Sequence, residues 1–160
     1  MKSLRLVSLL MVLLLSACGF RLQGSGVLPV EFSRIYIDTE DRYTLFYQNL
    51  KNSLRQRGVT IVSSRGSADA VINVILDSSG KEITAVSLRN TPLEYQAFYR
   101  VTFSVSIMSN VVIKPATIAL ANRYVYDETK VLGKEEELEM LLASQSKDIS
   151  RQILVQLSSL

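Results

Sequence analysis

The sequence predicts an α/β (α+β) two-layer sandwich: about four mostly antiparallel strands with two helices packed on one face. Three observations predict it. Tyr95, Ala97, Tyr99, Val101, Phe103, Val105 and Ile107 alternate with Gln96, Phe98, Arg100, Thr102, Ser104 and Ser106. A period of two held this long makes one long strand with a buried and a wetter face. Two other stretches, at residues 42–57 and 134–158, carry apolar side chains at helical spacing. The strand-like segments are mostly sequence neighbours joined by short turns, which favours antiparallel pairing with the helices gathered on one side.

The elements follow in order. Residues 1–17 begin with Lys2 and Arg5, continue as an apolar run from Leu6 to Leu15 broken only by Ser8, and end on Ser16 and Ala17 before Cys18. A basic start, a ten-residue apolar stretch and small residues form a secretory signal, too short to span a bilayer. Residues 18–30, with Gly19, Gly24, Gly26 and Pro29, read as a tether to a single domain at 31–160. Ile35-Tyr36-Ile37 is a short strand. Arg42 to Arg57 is a helix: Tyr43, Phe46, Tyr47, Leu50 and Leu54 share one face, Asp41 suits the N-cap and Gly58 the stop. Val59–Val62 is a further short strand candidate. Ala70–Leu76 is a strand that resumes at Ile83–Leu88 beyond a bulge or bend at Ser78-Ser79-Gly80. The long alternating strand runs from Tyr95 to Met108, and another from Thr117 to Tyr126. Turns are expected at Asn90-Thr91-Pro92 and near Lys114-Pro115. The last helix spans about Lys134 to Ser158, with Leu138, Leu142, Ile149, Ile153, Leu157 and Leu160 as its apolar stripe, widened by Leu141 and Leu154. Glu135, Glu136, Glu137 and Glu139 sit at its positive end.

Charge and composition remove several function classes. Without the first 17 residues the chain carries 16 Lys and Arg against 15 acids, so the pI of 9.1 is no sign of a nucleic-acid binder. The chain has no His, the usual general base and commonest metal ligand, and no second Cys for a zinc site. The remaining carboxylates lack EF-hand spacing. Neither a metal nor a cofactor is expected. Two Ser-x-x-Lys matches, at Ser78–Lys81 and Ser144–Lys147, stand against about one that 20 Ser and 7 Lys produce by chance, and no Lys-Thr-Gly or Ser-Asp-Asn accompanies them. The chain is read as a non-enzyme.

Two features point to binding. The sheet face opposite the helices carries hydroxyl and amide side chains and must meet water or a hydrogen-bonding partner. Phe98 breaks that polar pattern and is a candidate partner contact. Arg89 lies at a strand turn, and Lys130 and Lys134 lie on the way into the last helix; strand parity allows all three at one sheet end. Cations gathered there suit phosphate oxygens.

Leu15-Ser16-Ala17-Cys18 resembles a bacterial lipobox, which implies cleavage before Cys18 and its acylation; Gly19 after it favours the outer membrane in that resemblance. Acyl chains at about 0.8 kcal/mol per buried methylene hold a protein on a membrane essentially permanently. Cys18-Gly19-Phe20-Arg21-Leu22, Arg89-Asn90 with Glu94-Tyr95-Gln96, and Arg123 to Glu128 leading into Lys134 together resemble the LptE lipopolysaccharide-assembly lipoprotein family over essentially the whole chain. The resemblance implies a non-enzymatic outer-membrane lipoprotein that plugs and helps assemble the LptD β-barrel and binds lipopolysaccharide. Its ligand contacts fall on Arg89 and Lys134, with Lys130 beside them. A lipid-anchored cell-wall enzyme or enzyme regulator, or a generic periplasmic adaptor, are the competing expectations.

Overall fold

The computed structural model describes residues 28–126 and 131–160, so the expected secretory segment, Cys18, most of the expected tether and Lys130 lie outside the described residues. After a 3-10 turn at Val30–Phe32 come β1 (Arg34–Asp38), α1 (Leu45–Gln56), β2 (Thr60–Ile61), β3 (Ala70–Val86), β4 (Pro92–Ile107), β5 (Asn110–Val125) and α2 (Val131–Ser158). One five-stranded sheet has the order β2-β1-β3-β4-β5. The class matches expectation, with five strands in place of about four and a mixed sheet. β1 is parallel to both β2 and β3, while β3, β4 and β5 are antiparallel neighbours. The parallel pairs have a physical cause: α1 carries the chain back to the end where β1 began, and a helical return forces parallel pairing.

The first helix starts later than its apolar spacing suggests. Thr44, not Asp41, is the N-cap: its Oγ1 accepts from the Tyr47 amide at 3.1 Å. Asp41 instead ties the preceding turn by accepting from the Tyr43 amide at 2.7 Å. Tyr43, expected on the apolar face, therefore stands in solvent at 92% exposure. Gly58 ends the helix as expected, with a φ of +83 that other residues avoid.

β3 corrects a second expectation. It is continuous, and Ser78, Ser79 and Gly80 stay in register with Arg100, Tyr99 and Phe98. The register shifts fall elsewhere, between Val74 and Leu76 and between Ile83 and Val86. Gly80 lets the Phe98 ring lie on the strand: a Cβ there would sit 3.3 Å from Cε1 and Cζ of that ring.

The Lys114-Pro115 turn does not exist. The chain reverses at Met108 and Ser109, where Ile107 pairs with Asn110 and Met108 takes a φ of +53. Lys114 and Pro115 lie inside β5, opposite the single residue Ser104, because Phe103 pairs with Ala116 and Val105 with Ile113. This is a β-bulge on an edge strand, the sheet position where proline costs no ladder bond.

α2 starts at Val131, before the expected Lys134, so the expected loop up to Gly133 ends in helix. Its buried face runs through Leu138, Ile149, Ile153, Leu154 and Leu157, whereas Leu160 lies past the helix and is exposed. Gln145, Ser146 and Ser150 interrupt that face and are buried, each making a side-chain hydrogen bond, while Gln145 Oε1 has no partner among the described residues. Gln145 Nε2 donates to the Ala97 carbonyl at 3.1 Å and to Asn122 Oδ1 at 2.8 Å; Asn49 Nδ2 donates to Ser146 Oγ at 2.8 Å. The main core joins both helices to the inner sheet face, from Ile35 and Ile72 through Tyr99, Val101 and Phe103 to Leu50 and Ile153. A smaller cluster of Ala97, Tyr124 and Leu138 sits towards one sheet end. The outer face is hydroxyl-rich as expected, with Thr102 and Thr117 hydroxyls 2.9 Å apart across β4 and β5. Among the described residues no helix is long and apolar enough to cross a membrane.

Candidate functional site

The end of the sheet opposite the Met108 turn collects the charged and aromatic side chains. There β3 turns into β4, and β5 ends beside the start of β4, with Val125 paired to Glu94 and the Tyr126 amide donating to the Leu93 carbonyl at 2.9 Å. The connection to α2 therefore leaves from the same end as the β3–β4 turn, as strand parity allowed.

Ser87 builds that turn. Its Oγ accepts from the Arg89 amide at 3.2 Å and the Thr91 amide at 3.1 Å, its carbonyl accepts from Asn90, and its amide donates to Thr91. Asn90 takes the left-handed conformation at φ +59, which asparagine tolerates better than most residues. The backbone thus satisfies itself, and Leu88 and Arg89 project outward. Leu88 is fully exposed, with Val86, Leu93 and Val125 exposed near it.

Lys134 sits one tier lower. Its ammonium is 5.9 Å from the Tyr124 ring centroid and 2.7 Å from Glu137 Oε2. Tyr124 pairs with Tyr95, three positions into the sheet from Pro92, roughly 10 Å at about 3.3 Å per residue. Arg89 and Lys134 thus share a sheet end without sharing a contact: one is at its summit and the other is on the helix side below it. Phe98 is placed on the opposite, outer face, half-buried over Gly80 and paired with Ala121. A shallow depression of about 100 Å³ lies there, bordered by Glu82, Gln96, Phe98, Arg100, Ala119 and Ala121.

Sequence reasoning missed most of the network around Lys134. Tyr95 stacks on Tyr124 at 5.8 Å and meets Tyr126 edge-on at 5.2 Å. Lys81 stands 5.5 Å over the Tyr95 ring and is ion-paired to Glu135. Hydrogen bonding to Glu135 raises the Lys81 ammonium above its usual value, and burial pushes the Tyr124 phenol up. The Lys134–Glu137 spacing was legible as an i,i+3 helix pair. Lys81 was not, because only the β3–β4 register brings it beside Ala97 and hence under α2.

Chemically, this sheet end offers Arg89 and the aliphatic Leu88 on the turn and, one tier lower, the Lys81 and Lys134 ammonium groups beside the Tyr95, Tyr124 and Tyr126 phenols. It suits an amphiphile with phosphate groups better than a reacting substrate. A larger open groove of about 710 Å³ lies between the start of α1 and the first half of α2, lined by Leu45, Glu136, Glu139, Met140, Leu142 and Ala143. Among the described residues that line it the charged ones, Glu136 and Glu139, are acidic, which does not suit a phosphate.

Comparison with known proteins places these features in a family context. Residues 32–157 match the family model LptE, described as lipopolysaccharide-assembly. The chain is 27% identical over 157 residues to an LPS-assembly lipoprotein LptE of Photorhabdus laumondii, covering 96% of this chain and 85% of that one. It is 26% identical to the Yersinia pestis protein of the same name, covering 96% and 75%. Among solved structures it is similar to a lipoprotein B of Nitrosomonas europaea, with a TM-score of 0.72 and 26% identity over 88% of this chain and 91% of that one. The rare lipoprotein B of Shewanella oneidensis has the same fold, with a TM-score of 0.66 at 23% identity over 79% and 94%.

Proposed function

The chain belongs to the LptE family of lipopolysaccharide-assembly lipoproteins, and from that membership we propose that it is an acylated plug and assembly partner of the LptD β-barrel that binds lipopolysaccharide at its Arg89 end. The coarser part follows from the family itself: this is a non-enzymatic outer-membrane lipoprotein of lipopolysaccharide assembly. The finer part is our reading. Residues 1–17 direct export, Cys18 carries the acyl chains, and 31–160 is the folded domain. The acyl chains keep that domain at the periplasmic side of the outer membrane, from where it enters the barrel lumen.

One observation carries the reading: the family match runs through nearly every described element, from Phe32 to Leu157. Two structural features support it. The outer sheet face presents Thr102, Ser104, Ser106 and Thr117, which suit the polar lining of a barrel lumen. The Ser87-braced turn presents Arg89, with the Lys134 tier and, outside the described residues, Lys130 nearby in sequence. Guanidinium and ammonium groups pair with phosphate oxygens by charge-assisted hydrogen bonds.

Mild detergent extraction of the full chain tests the proposal. Co-purification of the LptD barrel is expected. Recovery of the chain with no barrel would remove the plug reading. A Cys18→Ser variant is expected to lose incorporation of labelled palmitate, since Cys18 is the single cysteine of the sequence; incorporation equal to the parent would remove the acylation reading.

A further inference from the structure

The two sheet edges are treated differently. β2 closes one edge with only two residues, too short to template another strand. β5 closes the other with sixteen. Its first half is guarded in the usual way: Lys114, Pro115 and two register shifts break the ladder between Asn110 and Ala116. Its second half, Thr117–Val125, pairs with β4 without a shift, contains no proline, and among the described residues has no strand on its other side.

The register says which backbone groups are left over. The Tyr126 amide donates to the Leu93 carbonyl, so Tyr126 and Leu93 are a hydrogen-bonded pair. Pairs alternate along an antiparallel ladder. Hence Ile118, Leu120, Asn122 and Tyr124 direct their N–H and C=O at β4, while Thr117, Ala119, Ala121, Arg123 and Val125 direct theirs at the open edge. The side chains alternate too. Ile118 and Leu120 lie half-buried against the core on the helix side, whereas Ala119 and Ala121 keep the other side low.

We propose that the Thr117–Val125 edge of β5 accepts an extended segment of the barrel partner as a sixth strand of the sheet, a mode in which main-chain bonds give affinity and alternate side chains give selectivity. This rests on the plug reading above. The segment that fits alternates apolar residues, which extend the core beside Ile118 and Leu120, with small or polar residues on the Thr117–Ala119–Ala121 side. A second copy of this chain fits less well. Two copies meeting at this edge would share one short strand contact, short of the roughly 1,200 Å² that stable pairs of independent proteins bury. A barrel that already encloses the domain needs no such area from the edge alone.

The test uses the acylated full chain co-purified with LptD. Ala119→Pro and Ala121→Pro each remove an edge-facing N–H and leave the β4 ladder whole, as Pro115 already does on this strand; Ala119→Ser and Ala121→Ser keep the N–H. The double proline variant is expected to fold with unchanged circular dichroism and to recover about tenfold less barrel, while the serine variant recovers as much as the parent. Hydrogen exchange resolved to single amides is expected to show Thr117, Ala119, Ala121 and Arg123 fast in the isolated chain and slow in the complex. Full recovery by the proline variant, or edge amides still fast in the complex, would overturn the edge proposal while leaving the plug reading intact. Edge amides slowed in the isolated chain only as its concentration rises would assign the edge to self-association and overturn it too. If the parent chain recovers no barrel, the plug reading fails and takes this one with it.

Discussion

Asp77 and Tyr99 show how a single buried group can cost stability while organising its neighbours. Tyr99 points from β4 to the start of α1, where its hydroxyl accepts from the Phe46 amide at 3.1 Å. Burial, with Asp77 adding to it, pushes the phenol up to about 12. Asp77 lies across the β3–β4 ladder beside it, and its Oδ2 is buried with no hydrogen-bond partner among the described residues. Burial raises its carboxyl above the ordinary 3.8. The raised value means the fold prefers the neutral acid. This preference stabilises fully below 3.8 and is lost as pH rises from there through the folded value. Asp77→Asn is therefore expected to raise stability at pH 7 by about 1 kcal/mol, the low end for an unpaired buried acceptor in a half-buried residue. The advantage should shrink below pH 4, and thermal unfolding of both proteins across pH 3–8 measures it. A constant difference over that range would show that ionisation of Asp77 is not the cause. Tyr99→Phe acts in the opposite direction. It strands the Phe46 N–H in the core and is expected to cost about 1–3 kcal/mol in denaturant unfolding at any pH.

At the scale of elements, capping makes a separable prediction. Thr44→Ala removes the oxygen that holds the Tyr47 amide and is expected to cost about 1 kcal/mol, whereas Asp41→Ala, outside the cap, should cost less. Equal costs in urea titrations would restore Asp41 as the cap. The same pair of residues marks where local sequence stops informing. Asp41 and Thr44 are both good caps by type, and only the path of the chain out of β1 decides which one meets the helix. β4 was legible because its alternation from Tyr95 to Ile107 has no other reading. Gly58 was legible because a left-handed stop is a backbone property of that residue. Pro115 was misread because proline usually ends a strand; whether it ends one or sits harmlessly on an edge depends on which strand lies beside it. The parallel pairing of β1 was invisible for a related reason, since it follows from where α1 returns the chain. At the functional end, Arg89 was legible as a turn cation. The Lys81–Glu135 pair was not, because it joins residues 54 apart through register and helix packing.

For the molecule as a whole, the two cations proposed to meet lipopolysaccharide are held so differently that they can be told apart by experiment. Arg89 stands exposed on a turn whose backbone is closed by Ser87, so Arg89→Glu reverses a charge and leaves the turn's hydrogen bonds in place. Its unfolding midpoint is expected to stay within a degree or two, as for most surface substitutions. Lys134 is a helix residue mostly covered, paired with Glu137 and set over Tyr124. Lys134→Glu places like charges at i,i+3 and is expected to cost about 0.5 kcal/mol in stability besides any loss of ligand. If both cations meet phosphate groups, the double variant should bind purified lipopolysaccharide about tenfold or more weakly at low salt, because charge-assisted hydrogen bonds are lost and repulsion replaces them. The deficit should narrow as salt is raised, since exposed charges are screened over about 10 Å at 0.1 M and over shorter lengths beyond. Leu88→Ser separates the aliphatic contribution: its effect on affinity should persist at high salt, because burial of apolar surface does not depend on screening. Equal affinity of the double variant and the parent chain at low salt would move the ligand away from this end of the sheet, and the barrel contact would then have to be argued without it.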